Sequence, residues 1–489
     1  MSDFNEQERS PMSRRQALKL LGAGVVTAAV LAACGETATP AVTTSAATTS
    51  AAANTTAAAT SAATTSVATT SVAGATTVAG AATTVGSISS GDIKASGTVT
   101  LATNQDSTGT VKKIVAAFNA KNTGVTINYQ EMPPNSSEVH DKFATAFAAK
   151  DSSLDVVAVD IPWAPEFGSA GFLLPLDKYI NPAFKSNFFE TTLAATTYKD
   201  KLYAIPWYLD AGVLYYRKDV LDKAGMQPPT NFPELIAAAQ KLQTSDMYGF
   251  VWPGFKNEGL SAIWMEYLWG FGGDYYDAKT NQILVNSPEA AASLQFLQDT
   301  IYNTKVTPDK VLTFKGADLN NVFTQGNAVF MRNWTFYGGL AEGKDSKVKG
   351  LWGVRPFLAQ PGKTASSCLG PWNLAINDNS KNPDAAWKVI EYFSSDEAQK
   401  MRATGAGTVP ARKDLYNDSD LLNSSQTFKV LTEVFQNAKA RPVTPAYQQI
   451  SNSVIQEYVS RVISKQMTPQ DAVKMMADKS NEILAKFKG

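Results

Sequence analysis

A long tract of small residues most constrains what this chain can fold into. Residues 37–86 consist almost entirely of Ala, Thr, Ser, Val and Gly, and they include no charged and no aromatic residue. A segment of this composition cannot bury enough apolar surface to form a packed core. If folding begins near Gly97, the remaining 393 residues predict two lobes, although the full 489 residues would allow three domains.

The segment that precedes this tract has the organisation of an export signal. A charged start at residues 13–19 is followed by an uncharged, mostly apolar run over residues 20–33, which is shorter than the ~20 residues that span a membrane. The pair Arg14-Arg15 resembles a twin-arginine signal, and Leu-Ala-Ala-Cys at residues 31–34 resembles a lipobox. The lipobox implies a diacylglycerol on Cys34 and cleavage before it. A signal anchor with an incidental cysteine is the alternative.

These two segments together predict a tethered protein. We expect residues 1–34 to be the signal and residues 35–96 to be a flexible linker, which at about 60 residues has a typical end-to-end distance of ~40 Å. An acyl-glyceryl anchor carries at least two chains, which suffices for stable attachment. The folded part is therefore expected on the outer face of the cell membrane or in the periplasm, with the lipid as its only membrane contact.

Composition excludes several classes of function. Lys+Arg and Asp+Glu both number 44, and this balance argues against a nucleic-acid partner. The single histidine, His140, excludes a metal site built from several histidines and restricts a Ser-His-Asp triad to that residue. The two cysteines, Cys34 and Cys368, exclude a disulfide framework. We expect no cofactor, no metal and a monomer.

The first part of the folded region alternates between strands and helices. Residues 98–103 alternate with period two, residues 111–118 have apolar side chains at helical spacing, and residues 125–129 form a second strand. A helix over 139–149 then leads to the apolar run 154–160, which is typical of a buried parallel strand. This order predicts an α/β fold with an open, doubly wound sheet. Ligands bind such sheets beyond the carboxyl ends of the strands.

The same alternation continues to the end of the chain. Strands are predicted at 202–206, 212–216, 327–332 and 372–377, and helices at 232–242, 289–302, 385–393 and 451–463.

Aromatic and polar residues meet where several of these strands end. Nine tryptophans are present, and several of them follow strands in short motifs instead of lying on helical stripes. These motifs are Asp160-x-x-Trp163, Trp207-Tyr208-x-Asp210, Arg332-Asn333-Trp334 and Gly370-Pro371-Trp372-Asn373. An aromatic face packs against the C–H side of a pyranose ring, while Asp, Asn and Arg bind its hydroxyls. Packing in the core is the alternative for each tryptophan, and we prefer it for Trp269 and Trp387.

A wider set of motifs resembles a known family. Residues 155–163, 171–177, 202–206 and 210–219 resemble the extracellular solute-binding proteins of bacterial ABC importers. The trehalose/maltose-binding branch is the nearer likeness, carried by the motifs at 249–252, 258–260, 326–334 and 441–447. The resemblance covers residues 97–489. It implies the periplasmic-binding-protein-like fold, in which two lobes close by hinge rotation around a sugar in a cleft.

The resemblance also implies a set of ligand-binding residues. Together with the motifs above, it gives the list Asp160, Trp163, Trp207, Tyr208, Asp210, Trp334, Gly370, Trp372 and Arg412. Three departures from the family pattern leave the sugar and its linkage open. Pro371 replaces one of two glycines before Trp372, Asp106 is offset from the acidic residue expected after the first strand, and His140 lies near the position of a helix-borne Arg. His140 is included as a candidate contact, with a surface or helix-cap role as its alternative.

The sequence therefore predicts a tethered sugar-binding protein that delivers its ligand to an ABC permease and performs no chemical step. The first lobe is expected to comprise residues 97–208 and 333–377, and the second residues 209–332 and 378–489. Chain crossings are expected near Leu209, Arg332–Asn333 and Asn377. Two other functions remain open: a lipid-anchored glycoside hydrolase that uses Asp160 and Asp210, and a binder of another small solute.

Overall fold

The computed structural model describes residues 93–106, 108–121 and 123–487. The predicted signal, the lipobox Cys34 and nearly all of the predicted linker lie outside these residues. The strands are Gly97–Thr103 (β1), Val125–Glu131 (β2), Val156–Asp160 (β3), Thr197–Tyr198 (β4), Lys201–Leu202 (β5), Ile205–Leu209 (β6), Gly212–Arg217 (β7), Tyr248–Val251 (β8), Tyr276–Asp277 (β9), Gln282–Ile283 (β10), Ala328–Trp334 (β11), Trp352–Pro356 (β12), Trp372–Ile376 (β13) and Val409–Pro410 (β14).

Helices connect and cover these strands. They are Thr110–Ala120 (α1), Ser136–Ala148 (α2), Trp163–Ser169 (α3), Pro182–Lys185 (α4), Glu190–Ala195 (α5), Lys218–Lys223 (α6), Phe232–Leu242 (α7), Glu258–Gly270 (α8), Pro288–Tyr302 (α9), Gly316–Thr324 (α10), Tyr337–Ala341 (α11), Pro383–Phe393 (α12), Asp396–Ala406 (α13), Ser419–Ser424 (α14), Leu431–Gln436 (α15), Tyr447–Ile450 (α16), Gln456–Ile463 (α17) and Pro469–Lys486 (α18). Short 3₁₀ turns lie at Asp177–Tyr179, Asp309–Thr313, Lys413–Asn417 and Gln426–Val430, and a π-turn at Ser451–Ile455 precedes α17.

A six-stranded sheet in the order β14-β6-β13-β3-β1-β2 forms the first lobe. Strand β1 pairs in parallel with β2 and β3, and β13 runs antiparallel between β3 and β6. The carboxyl ends of β1, β2, β3 and β6 therefore lie at one edge of the sheet, together with the start of β13. One face packs against α1, α12 and α13, and the other packs against α2 and α3. The predicted edge for ligand binding therefore exists.

The second lobe is built on the four-stranded sheet β12-β7-β11-β8. Its central helix is α8, in which every residue except Gly259 is buried. A helix that is buried on all sides belongs to the interior of a domain. Helices α9, α17 and α18 complete the core around it.

Three chain segments connect the lobes, and they lie side by side. The first is Leu209–Gly212 between β6 and β7, the second precedes β13, and the third follows α15. Isolated bridges pair Ala211 with Leu369 and Cys368 with Lys439. Backbone hydrogen bonds reinforce this arrangement, from Gly370 N to Asp210 O (2.9 Å) and from Leu369 N to Lys439 O (2.9 Å). These three segments are called the hinge below.

The observed boundaries of the lobes differ from those expected from the sequence. The crossing near Leu209 is observed, but strand β12 pairs with β7, so the chain remains in the second lobe well past Arg332–Asn333. Residues from Ala385 to Leu431 pack into the core of the first lobe, so the chain does not leave that lobe at Asn377. The prediction of an α/β fold with two discontinuous lobes is confirmed.

Among the residues described here, no helix combines the length and the apolar character needed to cross a membrane.

A close approach at the hinge requires a glycine. A Cβ atom on Gly212 would lie 1.8 Å from Glu266 Oε1 and 2.3 Å from Arg332 Nη2, and both of these side chains are fully buried. We predict that Gly212→Ala lowers the free energy of unfolding by about 3 kcal/mol, because the methyl group must displace a buried ion pair. Denaturant unfolding measures this loss. Gly316→Ala is the control, since a Cβ atom there meets open space; equal stability of the two variants would contradict the packing argument.

Candidate functional site

Asp160, the last residue of β3, lies at the edge of the first sheet where ligand binding was predicted, and it is 6% exposed. Its carboxylate accepts two hydrogen bonds from the guanidinium of Arg441, at 2.5 Å (Oδ1–Nη2) and 3.0 Å (Oδ2–Nη1). The backbone N–H of Ile161 donates a further bond to Oδ1. This bidentate geometry fixes the carboxylate at the mouth of the first lobe.

The same guanidinium also binds the second lobe. Arg441 Nη1 donates to Glu258 Oε1 at 2.7 Å, and Glu258 lies in the first turn of α8. The hydroxyl of Tyr447 donates to Glu258 Oε1, and that of Ser451 donates to Glu258 Oε2. Arg441 therefore joins an acidic residue of each lobe across the space between them.

Two tryptophans stand next to Asp160. Trp163 begins α3 and is 1% exposed, with its ring edge-on to that of Trp372 at a centroid distance of 5.5 Å. The indole N–H of Trp163 donates to Gln448 Oε1 on α16 at 3.1 Å. Trp372 opens β13 opposite Asp160 and is only partly buried. Trp163 thus packs behind the ring of Trp372. Of these two indoles, that of Trp372 is the partly exposed one.

His140 lies behind Trp163. Its ring stacks on Phe167 and meets Trp163 edge-on, with centroid distances of 5.1 and 5.3 Å. Nε2 lies 3.0 Å from Glu166 Oε2, and Nδ1 lies 3.2 Å from Asp141 Oδ1. Burial by itself lowers the pKa of His140, but the hydrogen bonds and charges of Glu166 and Asp141 outweigh burial and raise this pKa above its ordinary value of 6.5. The imidazole supports the aromatic cluster, and its hydrogen bonds go to these two carboxylates.

Asp210 lies in the hinge and is 8% exposed. Its Oδ1 accepts hydrogen bonds from Ala211 N and from both the N–H and the hydroxyl of Thr335. Burial raises the pKa of Asp210 to about 7, although these hydrogen bonds and the charge of Arg332 act in the opposite direction. No partner for Oδ2 exists among the residues that the structure describes.

Tyr208 and Trp207 precede Asp210 on β6, and both are buried. The guanidinium carbon of Arg402 on α13 lies 4.1 Å from the ring centroid of Trp207 and 4.0 Å from that of Tyr208. Trp207 also packs on Phe393 within the core of the first lobe. Both side chains therefore belong to the core of the first lobe, and Tyr208 is also paired with Trp372 at the edge of the sheet.

Trp334 ends β11 of the second lobe and is partly buried. One face of its indole covers the guanidinium of Arg332, at 4.2 Å from the ring centroid. Its six-membered ring packs directly on Gly370, where a Cβ atom would lie 2.7 Å from Cζ3. Arg332 is in turn held by Glu266 through two hydrogen bonds of 2.6 Å. A buried ion pair thus fixes the plane of Trp334 next to the hinge.

Arg412 does not lie with these residues, and its prediction as a ligand contact needs correction. Strand β14 runs antiparallel to β6, so the chain beyond Pro410 leads away from the edge that carries Tyr208 and Asp210. The Arg412 side chain is 1% exposed and forms ion pairs with Asp396 and Asp414. Asp106 is likewise occupied, because its carboxylate accepts hydrogen bonds from Thr108 and Val111 at the start of α1.

The structure brings Arg441 and Glu258 into the site, and neither was predicted as a site residue. Both lie in motifs that carried the family resemblance, at 441–447 and 258–260. These motifs were the sequence signal that could have identified them as site residues. The hydrogen bonds of Arg441 join it to Asp160, 281 positions away, and to Glu258, 183 positions away, and such pairings are not visible in a sequence. Within the described ranges, no group of three or more His, Cys, Asp or Glu side chains is placed to hold a metal ion.

The site therefore combines partly exposed indoles, the three carboxylates of Asp160, Asp210 and Glu258, and the guanidinium of Arg441 where the two lobes meet. A family model described as bacterial extracellular solute-binding protein matches residues 102–400. The chain belongs to this family. The family match, together with the structural likeness reported below, confirms the predicted fold.

Relatives and solved structures agree with this assignment. A probable ABC transporter-binding protein of Deinococcus radiodurans is 35% identical over 380 residues, covering 76% of this chain and 88% of the relative. A maltotriose-binding protein of Pyrococcus abyssi is 25% identical, covering 66% of this chain and 74% of the relative. The structure of maltose-bound MalE3 of T. maritima is similar with a TM-score of 0.74 and 37% identity, covering 79% of this chain and 99% of that one.

The single histidine of this solute-binding protein predicts a pH-dependent stability. Since the pKa of His140 is raised in the folded state, its ion pairs stabilise the fold fully below pH 6.5 and lose this effect as the pH rises through the folded-state pKa. His140→Gln should cost about 2 kcal/mol at pH 5.5 and progressively less above neutrality. Thermal unfolding from pH 5 to 9 measures the difference. Lys113→Gln is the control, because that side chain is exposed and is not among the groups that shift the pKa of His140; a difference that does not vary with pH would contradict the prediction.

Proposed function

We propose that this solute-binding protein is the sugar-binding component of an ABC importer and takes a disaccharide or oligosaccharide of the maltose or trehalose type between its lobes. The observation that carries this proposal is the placement of two partly exposed indoles, Trp334 and Trp372, on opposite lobes beside the carboxylates Asp160 and Asp210. Indole faces bind the C–H surface of a sugar ring, and carboxylates accept hydrogen bonds from its hydroxyls. The likeness to the maltose-bound T. maritima protein supports this ligand class.

Each lobe contributes a distinct part of the proposed site. The first supplies Asp160, Tyr208 and Trp372, and the second supplies Trp334, with Gly370 of the hinge packed beneath that indole. Sugar would thus bind both lobes at once and favour the closed arrangement, in which Arg441 bridges Asp160 and Glu258. The closed, liganded form is the one that the permease is proposed to recognise.

A glycoside hydrolase using Asp160 and Asp210 remains the second candidate function. The specific observation in its favour is the pKa of Asp210, about 7, since a general acid must retain its proton near neutral pH. Against it, both oxygens of Asp160 are engaged by Arg441. A carboxylate held in this way is a poor nucleophile or base, so binding without turnover is the better supported function.

The central test is binding of maltose by the wild type and by Trp334 variants. Truncation of a central aromatic anchor costs ≥ 2 kcal/mol, so we expect Trp334→Ala to weaken the affinity about thirtyfold or more and Trp334→Phe to retain much of it. Isothermal titration calorimetry gives the affinities, and chromatography of the incubated sugar detects any hydrolysis. At a maltose concentration of 100 Kd, the wild type should gain about 2.7 kcal/mol of stability.

The outcome depends on whether Trp334 acts in binding or only in packing. If it were purely a core residue, Trp334→Ala would lower the melting temperature of the unliganded protein strongly while the folded fraction bound maltose normally. That result would remove Trp334 from the site. Glucose released from maltose by the wild type would instead establish the hydrolase.

The proposed tether is tested at Cys34. We propose that the mature protein is held outside the cytoplasm by a lipid on this residue, following a twin-arginine type of export signal. Cys34→Ala should move the protein from the membrane fraction to the soluble fraction while its affinity for maltose is unchanged, because a linker of about 60 residues separates the anchor from the fold. Cys368→Ala is the matched control and should stay in the membrane fraction. Loss of maltose binding in Cys34→Ala would argue against independent anchor and binding domains.

A further inference from the structure

Asp210 belongs to the hinge through its backbone. Its carbonyl oxygen accepts a hydrogen bond from Gly370 N at 2.9 Å, and this bond joins the first and second segments of the hinge. The next residue, Ala211, forms the bridge to Leu369 and accepts a hydrogen bond from Thr335 N at 3.1 Å. The position of the Asp210 side chain is thus coupled to the arrangement of the lobes.

The two carboxylate oxygens of Asp210 have different surroundings. Oδ1 accepts three hydrogen bonds, from Ala211 N (3.0 Å), Thr335 N (2.8 Å) and Thr335 Oγ1 (2.5 Å). Oδ2 has no protein partner among the described residues. Because Oδ1 is saturated, a ligand hydroxyl can bind only to Oδ2.

Thr335 is the residue that creates this asymmetry. It is fully buried and follows Trp334 directly. Its carbonyl and that of Trp334 both accept from the hydroxyl of Tyr215, at 3.1 Å each, which fixes the backbone on the other side. The same short segment therefore holds the indole of Trp334 and the carboxylate of Asp210.

Few charged or titratable groups face the Asp210 carboxylate. Arg332 on β11 favours its ionised form, but Arg332 is already paired with Glu266 on α8. Among the described residues, the phenols of Tyr208 on β6 and Tyr215 on β7 also lie close, and the charge of Asp210 helps to raise the pKa of each. The hydroxyl of Thr335 is thus a principal neutral donor that keeps Asp210 ionised.

We propose that Thr335 is a positioning residue that binds Oδ1 of Asp210, so that Oδ2 is held as an ionised acceptor for a sugar hydroxyl and sugar affinity follows the charge of Asp210. This inference rests on the proposed sugar-binding function. Hydrogen bonds to an ionised acceptor are roughly twice as strong as those to a neutral one. Affinity should therefore fall as the pH drops through the pKa of Asp210, about 7.

Two substitutions at Thr335 separate positioning from packing. Thr335→Val keeps the shape and the backbone donor but removes the hydroxyl, whereas Thr335→Ser keeps the hydroxyl and removes a methyl group. Maltose affinity of both variants and the wild type is measured by calorimetry from pH 5 to 9. All three proteins retain His140, so its titration cancels in the comparison.

We expect the pH midpoint of affinity in Thr335→Val to rise by about one unit, because the ionised carboxylate loses a hydrogen bond. Its affinity should be about tenfold weaker than that of the wild type near pH 5 and about fivefold weaker near pH 7, and it should approach the wild-type value near pH 9. Thr335→Ser should follow the wild-type midpoint. An affinity lowered equally at every pH in Thr335→Val, or an unshifted midpoint, would overturn the proposal.

A second measurement distinguishes failure of this inference from failure of the proposed function. In the protein without sugar, the missing hydrogen bond matters only when Asp210 is ionised, so the melting temperature of Thr335→Val should fall below that of Thr335→Ser as the pH rises through neutrality. If the wild type binds neither maltose nor trehalose, the proposed function fails while this melting difference still tests the role of Thr335. If the wild type binds maltose but neither the midpoint nor the melting difference changes, the function stands and the inference fails.

Discussion

The buried carboxylate of Glu266 is the contact on which the arrangement of the two lobes depends. Glu266 lies in the central helix α8 of the second lobe, receives both hydrogen bonds of Arg332 on β11, and accepts a third from Cys368 N in the second chain crossing at 2.8 Å. Neither member of the ion pair is exposed, so removing one partner would leave an uncompensated charge and cost about 3–5 kcal/mol. The ion pair holds the hinge through Cys368, and the indole of Trp334 packs against the guanidinium of Arg332.

A second buried cation, Arg441, differs from Arg332 because its ion pairs join the two lobes. Glu266 and Arg332 belong to one lobe and are sealed from solvent, whereas Arg441 receives one carboxylate from each lobe, Asp160 and Glu258. If the lobes separate, one of these ion pairs must break and both charges must be hydrated again. The contact therefore favours the closed form only as far as its Coulomb attraction exceeds the desolvation cost, and this balance is close for buried pairs. A sugar that supplies hydroxyls to these groups would shift the balance towards closure.

Local patterns in the sequence predicted most of the elements of the first lobe. The errors arose where the structure depends on pairing between strands that are distant in the sequence. The alternation at 98–103 and the apolar run 154–160 appear as β1 and β3, so Asp160 was correctly expected at a strand end. The crossing expected near Arg332–Asn333 was wrong because strand β12, Trp352–Pro356, is short and ends in proline, and its pairing with β7 carries the chain on in the second lobe. Arg412 was misplaced for a related reason, since the direction of β14 relative to β6 is set by tertiary pairing and leaves no mark on the local sequence.

The two titrating residues near the site impose opposite requirements on pH. His140 supports Trp163, and through it Trp372, as a cation paired with Glu166, and this support is lost as the pH rises through its raised pKa. Asp210 serves as an ionised acceptor only above its pKa of about 7. The support of Trp372 by His140 therefore weakens at alkaline pH, whereas the hydrogen bonding of a sugar to Asp210 weakens at acid pH. His140 carries its useful charge on the acid side of its raised pKa and Asp210 on the alkaline side of its own, so the histidine on α2 and the buried hinge carboxylate oppose each other as the pH changes. An arginine in place of His140 would remove the alkaline limit and leave the acid limit, because that limit belongs to Asp210 alone.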